Sequence, residues 1–249
     1  MTKRPPLAVI LLVIVICFAL GLLNVLLQDN DDPSSLPTPF VPSPTNTISS
    51  SINSILIVGV DDLGYSAPQV RAIWIAAYRS SNSDIYLHGI PLDTRIPGQE
   101  GKKIIDQFQW NPEAGLSKSF TDGLFEIIQL RPNLTILLDD HAFAQTIDYL
   151  GGVEIRGKNL DGESVLTFLS LSWDRPGVLL VNQADIIQSL IPKALSLPET
   201  PELTELFTLI PDHMYLSMEI NQAVAFVLPI REIDADSVFL ILPEEYIEN

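Results

Sequence analysis

The sequence predicts an α/β domain standing on a single transmembrane helix. Three observations carry that reading. From Ile52 onward, short apolar runs rich in β-branched residues alternate with amphipathic stretches of helical spacing, the pattern of strands layered with helices. Ahead of the domain, Leu7 to Leu27 is a 21-residue run in which Asn24 is the only strongly polar side chain. At about 1.5 Å rise per residue such a run covers a hydrocarbon core of about 30 Å. Between the two, Gln28 to Ser51 places Pro33, Pro37, Pro39, Pro42 and Pro44 among serines and threonines, a composition that resists helix and buries no core.

The expected organisation is therefore a cytoplasmic tip and anchor over 1–27, an extended stalk over 28–51 and one soluble domain over 52–249. Lys3 and Arg4 precede the apolar run and Asp29, Asp31 and Asp32 follow it, which sets the N-terminus inside and the domain outside the cytoplasmic membrane. A cleaved signal peptide is the competing reading. Its apolar region is shorter and ends in a small-residue cleavage site, and none follows Leu27. Cys17 is the only cysteine and follows Ile16, where a lipoprotein signal wants a small residue, so it reads as part of the span. An exported domain without cysteine has no internal disulfide and no thiolate metal site.

All 31 acidic residues and twelve of the 14 basic ones lie beyond the anchor, a net charge of −19. Such a field disfavours nucleic acid and anionic lipid surfaces as partners, and its plainest role is to keep the domain solvated.

Within the domain, Ile55 to Val60 reads as a buried strand. Ala72 to Tyr78 and Asp84 to Gly89 read as two more, joined by a Ser80–Ser83 turn into an antiparallel hairpin. Lys102 to Trp110 and Phe120 to Leu130 have helical spacing, the second with Leu124, Ile127 and Ile128 on one face. Leu134 to Leu138 is a strand. Ala142 to Leu150 is a helix stopped by Gly151 and Gly152. Asp161 caps a helix to about Phe168, and Gly177 to Leu190 is a further helix ended near Pro192. Helices from about Pro201 and over Ser217 to Val227, and a strand over Ser237 to Leu242, complete the pattern.

The order of these segments resembles the LytR–CpsA–Psr (LCP) family, also called the cell-envelope-related transcriptional attenuator domain. The resemblance spans most of Ile55 to about Leu190 and rests on five pieces. They are Ile55-Leu-Ile-Val-Gly-Val-Asp61, Gly89-Ile-Pro-Leu-Asp-Thr94, Asp148-Tyr-Leu-Gly-Gly-Val-Glu-Ile155, Leu160-Asp-Gly-Glu163 and Gly177 to Gln183. The resemblance implies a three-layer α-β-α domain with a mixed central sheet and an apolar tunnel for a polyprenyl chain. It also implies transfer of a glycopolymer from polyprenyl pyrophosphate to peptidoglycan, usually with Mg²⁺. A departing pyrophosphate gathers negative charge, so that chemistry needs arginines, a metal, or both.

Here the sequence departs from the family. The family's arginines fall on Gln69, Leu92, Ser170, Ser172, Val178 and Val181, and its metal-binding aspartate on Arg71. Asp61, Asp93, Thr94 and Gln183 remain. Together with Arg71 and Arg95 they form the remnant phosphate-site candidates, with no confident catalytic residue and no metal ligand. Arg71 either neutralises a phosphate in place of Mg²⁺ or pairs with Asp61 or Asp93. Arg175 reads as a turn residue.

Other constellations have structural explanations. Asp139-Asp-His141 invites a metal, but an aspartate capping the next helix accounts for it better. His88 and His213 lack a nucleophile motif. Asn133-Leu-Thr135 matches a three-residue sequon that also arises by chance. Trp74, Trp110 and Trp173 line a lipid groove or pack in a core, the latter being the commoner use.

The expected function is that of a membrane-anchored extracytoplasmic protein of cell-envelope assembly. It binds or scaffolds polyprenyl-linked glycopolymer without transferring it and has no nucleic-acid partner. The alternatives are an active phosphotransferase, which alone requires Mg²⁺, and an anchored protein–protein adaptor.

Overall fold

A computed structural model describes residues 52–79, 84–195, 209–219, 222–223, 226 and 235–244. The anchor, the stalk, the 80–83 turn and the helix expected from Pro201 lie outside the described residues. No helix among the described residues is long and apolar enough to cross a membrane.

The centre of the domain is β1 (Ile52–Val60), whose residues alternate between two cores. Ile55 and Ile57 pack on one side, and Leu56, Val58 and Val60 on the other. β1 pairs antiparallel with β2 (Val70–Arg79), which pairs antiparallel with β3 (Ile85–Gly89), as the hairpin reading expects. On its other flank β1 runs parallel to β6 (Leu134–Asp139). β9 (Met214–Leu216) closes that side antiparallel to β6, and β10 (Val238–Ile241) closes the opposite side parallel to β3. The result is a mixed six-stranded sheet in the order β10-β3-β2-β1-β6-β9.

Helices cover both faces. α1 (Lys118–Ile128) drives Phe120 and Leu124 onto Leu56, Val58, Ile73, Ile75 and Leu137. On the other face α2 (Asp140–Tyr149), α3 (Gly162–Ser170) and α4 (Pro176–Leu195) pack over Ile55, Trp74, Ala76, Leu87, Ile136 and Leu138. Two small hairpins complete the domain, β4 (Trp110–Asn111) with β5 (Gly115–Leu116) and β7 (Val153–Ile155) with β8 (Lys158–Leu160).

Helix starts follow capping chemistry. The Asp139 carboxylate accepts from the Ala142 amide at 2.9 Å, and Asp161 accepts from Ser164 at 2.8 Å. Gly151 and Gly152, at φ of 76° and 82°, turn the chain out of α2. Gly162 serves a different end. A Cβ there would overlap the Ala144 backbone, so this glycine is what lets α3 touch α2.

Three expectations need correction. Lys102 to Trp110 is not a helix. Lys103 bridges Arg95, a single 3-10 turn occupies Ile105–Gln107, and Trp110 begins β4. The Lys103 amide donates to the Asp106 carboxylate, and the Ile96 amide donates to the Lys102 carbonyl. The loop thus satisfies its backbone locally and spreads Ile104 and Phe108 into the α1-side core. Ser217 to Glu219 is not helical either. The Ser217 hydroxyl accepts from the Thr135 amide, extending the β9–β6 pairing, and helical backbone in this region occurs at Gln222, Ala223 and Phe226 among the described residues. Finally, α4 runs through Pro192 to Leu195 rather than ending near it.

Candidate functional site

β1 and β6 are parallel neighbours, and Val60 pairs with Asp139 at their carboxyl ends. The chain leaves the sheet there twice, at Asp61 and at Asp140, and the Asp140 amide lies 3.4 Å from the Asp61 carbonyl. β2 enters beside them, so Arg71 reaches the same corner. Three carboxylates and one guanidinium therefore gather where the sheet meets the N-terminus of α2.

Below this corner a cavity of about 140 Å³ opens between the sheet and helices α2, α3 and α4. Ile57, Ala72, Trp74, Leu87 and Leu138 form its floor. Phe143, Ile147, Leu166, Leu169, Ile186 and Leu190 are among the residues of its helical wall. Gly59 also lines it. A Cβ at that position would meet the Ala72 Cβ at 3.2 Å, so the absent side chain leaves room. Among the described residues Arg71, Asp139, Asp140, Thr146 and Gln183 are the polar lining residues, and the others are apolar. The volume is close to that of an engineered apolar cavity that admits benzene, about 150 Å³.

Arg71 is the least satisfied of these groups. Its guanidinium lies over the Trp173 ring, 3.8 Å from the centroid, and 3.8 Å from the Asp61 carboxylate. Its Nε is buried with no hydrogen-bond partner, and among the described residues its fork donates no hydrogen bond. The Asp61 oxygen facing away from it accepts from the Asp62 amide at 2.9 Å and the Gln69 amide at 2.7 Å. Gln183 uses both its amide oxygen and its amide nitrogen. Its oxygen accepts from Trp74 Nε1 at 3.1 Å and its amide donates to the Arg71 carbonyl at 2.8 Å.

The two aspartates that open α2 differ sharply. Asp139 is buried and divides its oxygens, one on the Ala142 amide and the other 2.8 Å from His213 Nδ1. The His141 ring lies 4.4 Å from that of His213. The expected capping role of Asp139 thus holds, with a histidine contact added. Asp140 is pushed up to about 6, first by burial and then by the charges of Asp61, Asp139 and Glu163, against the opposing pull of Arg71.

Of the residues singled out from sequence, Asp61, Arg71 and Gln183 come together. Asp93, Thr94 and Arg95 do not line the cavity. Thr94 turns its hydroxyl onto the Pro91 carbonyl at 2.7 Å, and Arg95 is exposed. Leu92, where the resemblance implies an arginine, packs against both cores. Ser172, where the resemblance implies another, accepts from Asn182 at 2.9 Å. Arg175 holds the Leu171 carbonyl at 2.7 Å, as a turn residue does. Trp74 and Trp173 line the cavity, whereas Trp110 packs against Tyr215. In sequence, Asp140 is noticed only as the middle of the Asp139-Asp-His141 run and set aside there, because the burial that perturbs it is not visible in the sequence.

The donors do not fit Mg²⁺. The guanidinium of Arg71 stands beside Asp61, and one Asp61 oxygen is already committed to two amides. No group of three or more His, Cys, Asp or Glu side chains among the described residues converges to hold a metal ion.

The mixed six-stranded sheet with helices on both faces defines the fold class, and solved structures share that fold. The transcriptional regulator yvhJ from Bacillus subtilis is 15% identical over 78% of this chain and 83% of that one, with a TM-score of 0.57. TagV of B. subtilis is 14% identical over 78% and 85%, at 0.56. TagT, also known from B. subtilis, matches in a structure bound to LIIa-WTA, with 17% identity over 77% and 78% and a TM-score of 0.58. These are LCP-family proteins, and the fold of this chain is LCP-like. No family model matches the chain, and no curated protein matches it.

Proposed function

We propose that this chain is an LCP-like protein of cell-envelope assembly that holds the apolar part of a polyprenyl-linked glycopolymer intermediate and does not transfer the polymer. One observation carries the proposal. The cavity is apolar along its depth and ends at one arginine beside the carboxylates of Asp61 and Asp140. The apolar walls favour a hydrocarbon chain through desolvation alone. The mouth offers little to a leaving pyrophosphate, since its single guanidinium already stands against Asp61 and its carboxylates oppose further negative charge. TagT, a protein of the same fold, is described bound to LIIa-WTA, which supports an envelope intermediate as the ligand class. In this reading the N-terminal helix and stalk keep the cavity near the membrane surface where such lipids reside.

The test is native mass spectrometry of the full chain extracted in mild detergent. A retained polyprenyl lipid, lost when Leu169→Trp fills the cavity, is the expected result. Transfer of a lipid-linked glycan to peptidoglycan by the purified chain overturns it. The unsatisfied fork of Arg71 is the observation that favours the phosphotransferase alternative. That alternative predicts phosphate release from a polyprenyl pyrophosphate, with loss on Arg71→Ala. The adaptor alternative predicts a core filled by side chains, and the open cavity counts against it.

A further inference from the structure

We infer that His141 and His213 form a two-imidazole site for one divalent transition-metal ion of the Zn²⁺, Ni²⁺ or Cu²⁺ kind, with Asp139 positioning the second ring. Neither histidine lines the apolar cavity, so the site is separate from the lipid-holding reading. Strand register builds it. Leu138 of β6 pairs with Met214 of β9, so the residues next along, Asp139 and His213, face each other where the pairing ends. α2 begins at Asp140, which puts His141 in its first turn. The two rings meet there with centroids 4.4 Å apart and planes tilted by 43°. Two imidazoles that share one ion, each about 2.0–2.1 Å from it, bring their ring centres to about 4.5–5 Å. The pair therefore needs only a small adjustment to hold a metal between its nitrogens.

The surroundings prepare one ring for that task. His213 Nδ1 lies 2.8 Å from the Asp139 carboxylate, a buried acceptor whose other oxygen is held by the Ala142 amide. A carboxylate only accepts, so Nδ1 carries the proton of the neutral ring and Nε2 keeps its lone pair. The same carboxylate–imidazole pairing orients metal-binding histidines and raises their basicity. His141 is exposed and makes no hydrogen bond among the described residues. Imidazole suits Zn²⁺, Ni²⁺ and Cu²⁺, whereas Mg²⁺ and Ca²⁺ prefer oxygen. Among the described residues no third His, Cys, Asp or Glu converges on the pair, so water completes the coordination. The acidic field of the domain draws cations toward it. A bound ion would tie β9, an edge strand of three residues, to the start of α2.

The experiment uses the full chain in mild detergent and a chelator-free buffer, with Zn²⁺, Ni²⁺, Cu²⁺ and Mg²⁺ as probes in calorimetry. One ion per chain is expected for each of the first three, with Cu²⁺ the tightest, and none for Mg²⁺. His141→Ala, at an exposed position, should weaken Zn²⁺ at least about ten-fold with the far-ultraviolet spectrum unchanged. Asp139→Asn should weaken it similarly, because the new amide donates to Nδ1 and moves the ring proton onto Nε2. His88→Ala, on β3 and two strands away from β6, should leave it unchanged. The electron paramagnetic resonance of bound Cu²⁺ should show two imidazole nitrogens in wild type and one in His141→Ala. Zn²⁺ should also slow amide exchange at Met214–Leu216 in wild type and not in His141→Ala. No binding of Zn²⁺, Ni²⁺ or Cu²⁺, or an affinity indifferent to His141→Ala, overturns the inference. Mg²⁺ bound as tightly as Zn²⁺ marks a carboxylate site and overturns it too, as does an ion held only between two chains in native mass spectrometry. An affinity indifferent to Asp139→Asn, with His141→Ala still weakening it, overturns the positioning role of Asp139.

Discussion

Replacing Asp140 with asparagine should stabilise the protein, and only above a definite pH. Burial and three neighbouring carboxylates lift this carboxyl from an ordinary 3.8 to about 6. A raised carboxyl binds its proton more tightly in the folded state than in the unfolded one. Its contribution to stability is therefore complete below pH 3.8 and is lost as pH rises through 6. At about 1.4 kcal/mol per pH unit the shift sets an upper limit of about 3 kcal/mol. Partial exposure of the side chain and solvent screening reduce that by about half. The favourable field of the α2 N-terminus, which asparagine does not exploit, removes about 0.5 kcal/mol more. A net gain of about 1 kcal/mol is expected at pH 7.5, falling toward zero at pH 4.5. Urea unfolding of wild type and Asp140→Asn at both pH values measures it, and the thermal midpoint should rise by about 3 °C at the higher pH. Equal effects at the two pH values, or a loss of stability at pH 7.5, would refute the account of Asp140 as a carboxylate strained by its surroundings.

Other perturbations follow from the same contacts. Gly162→Val should destabilise by about 3 kcal/mol in urea unfolding, because the new side chain drives α3 off the Ala144 backbone. Trp74→Phe should lower stability by about 2 kcal/mol, since the buried Gln183 oxygen loses its donor. Asp139→Ala should lose about 3 kcal/mol by removing the α2 cap and the His213 contact together. Asp139→Asn, which retains an oxygen for the cap, should recover part of that in the same assay.

The sequence showed the sheet best where burial is local and periodic. The run from Ile55 to Val60, the 72–78 and 84–89 pair and the apolar face of α1 were legible because their spacing reflects a core lying directly against them. The 102–110 stretch was misread because Ile104, Ile105 and Phe108 mimic helical spacing, while the turn that places them is made by backbone bonds to Thr94 and Ile96. β9 was invisible at three residues, since only its pairing with β6 makes it a strand. The site divides in the same way. Arg71 stood out because a motif expects the opposite charge there. Asp140 did not, because its perturbation comes first from burial and then from the charges of Asp61, Asp139 and Glu163, which only the fold brings around it.

The strand order has a consequence for the chain during its synthesis. Both outermost strands of the sheet, β9 and β10, come from residues beyond α4, while the four inner strands are complete by Asp139. A nascent chain that has emerged only through Leu195 therefore carries β3 and β6 with bare backbone edges, able to pair with any passing strand. A premature stop after α4 would preserve the arginine, the carboxylates and every described residue lining the cavity, yet yield a species prone to aggregate. The described residues beyond α4, none of which lines the cavity, act as the hem that keeps the sheet from unravelling into its neighbours.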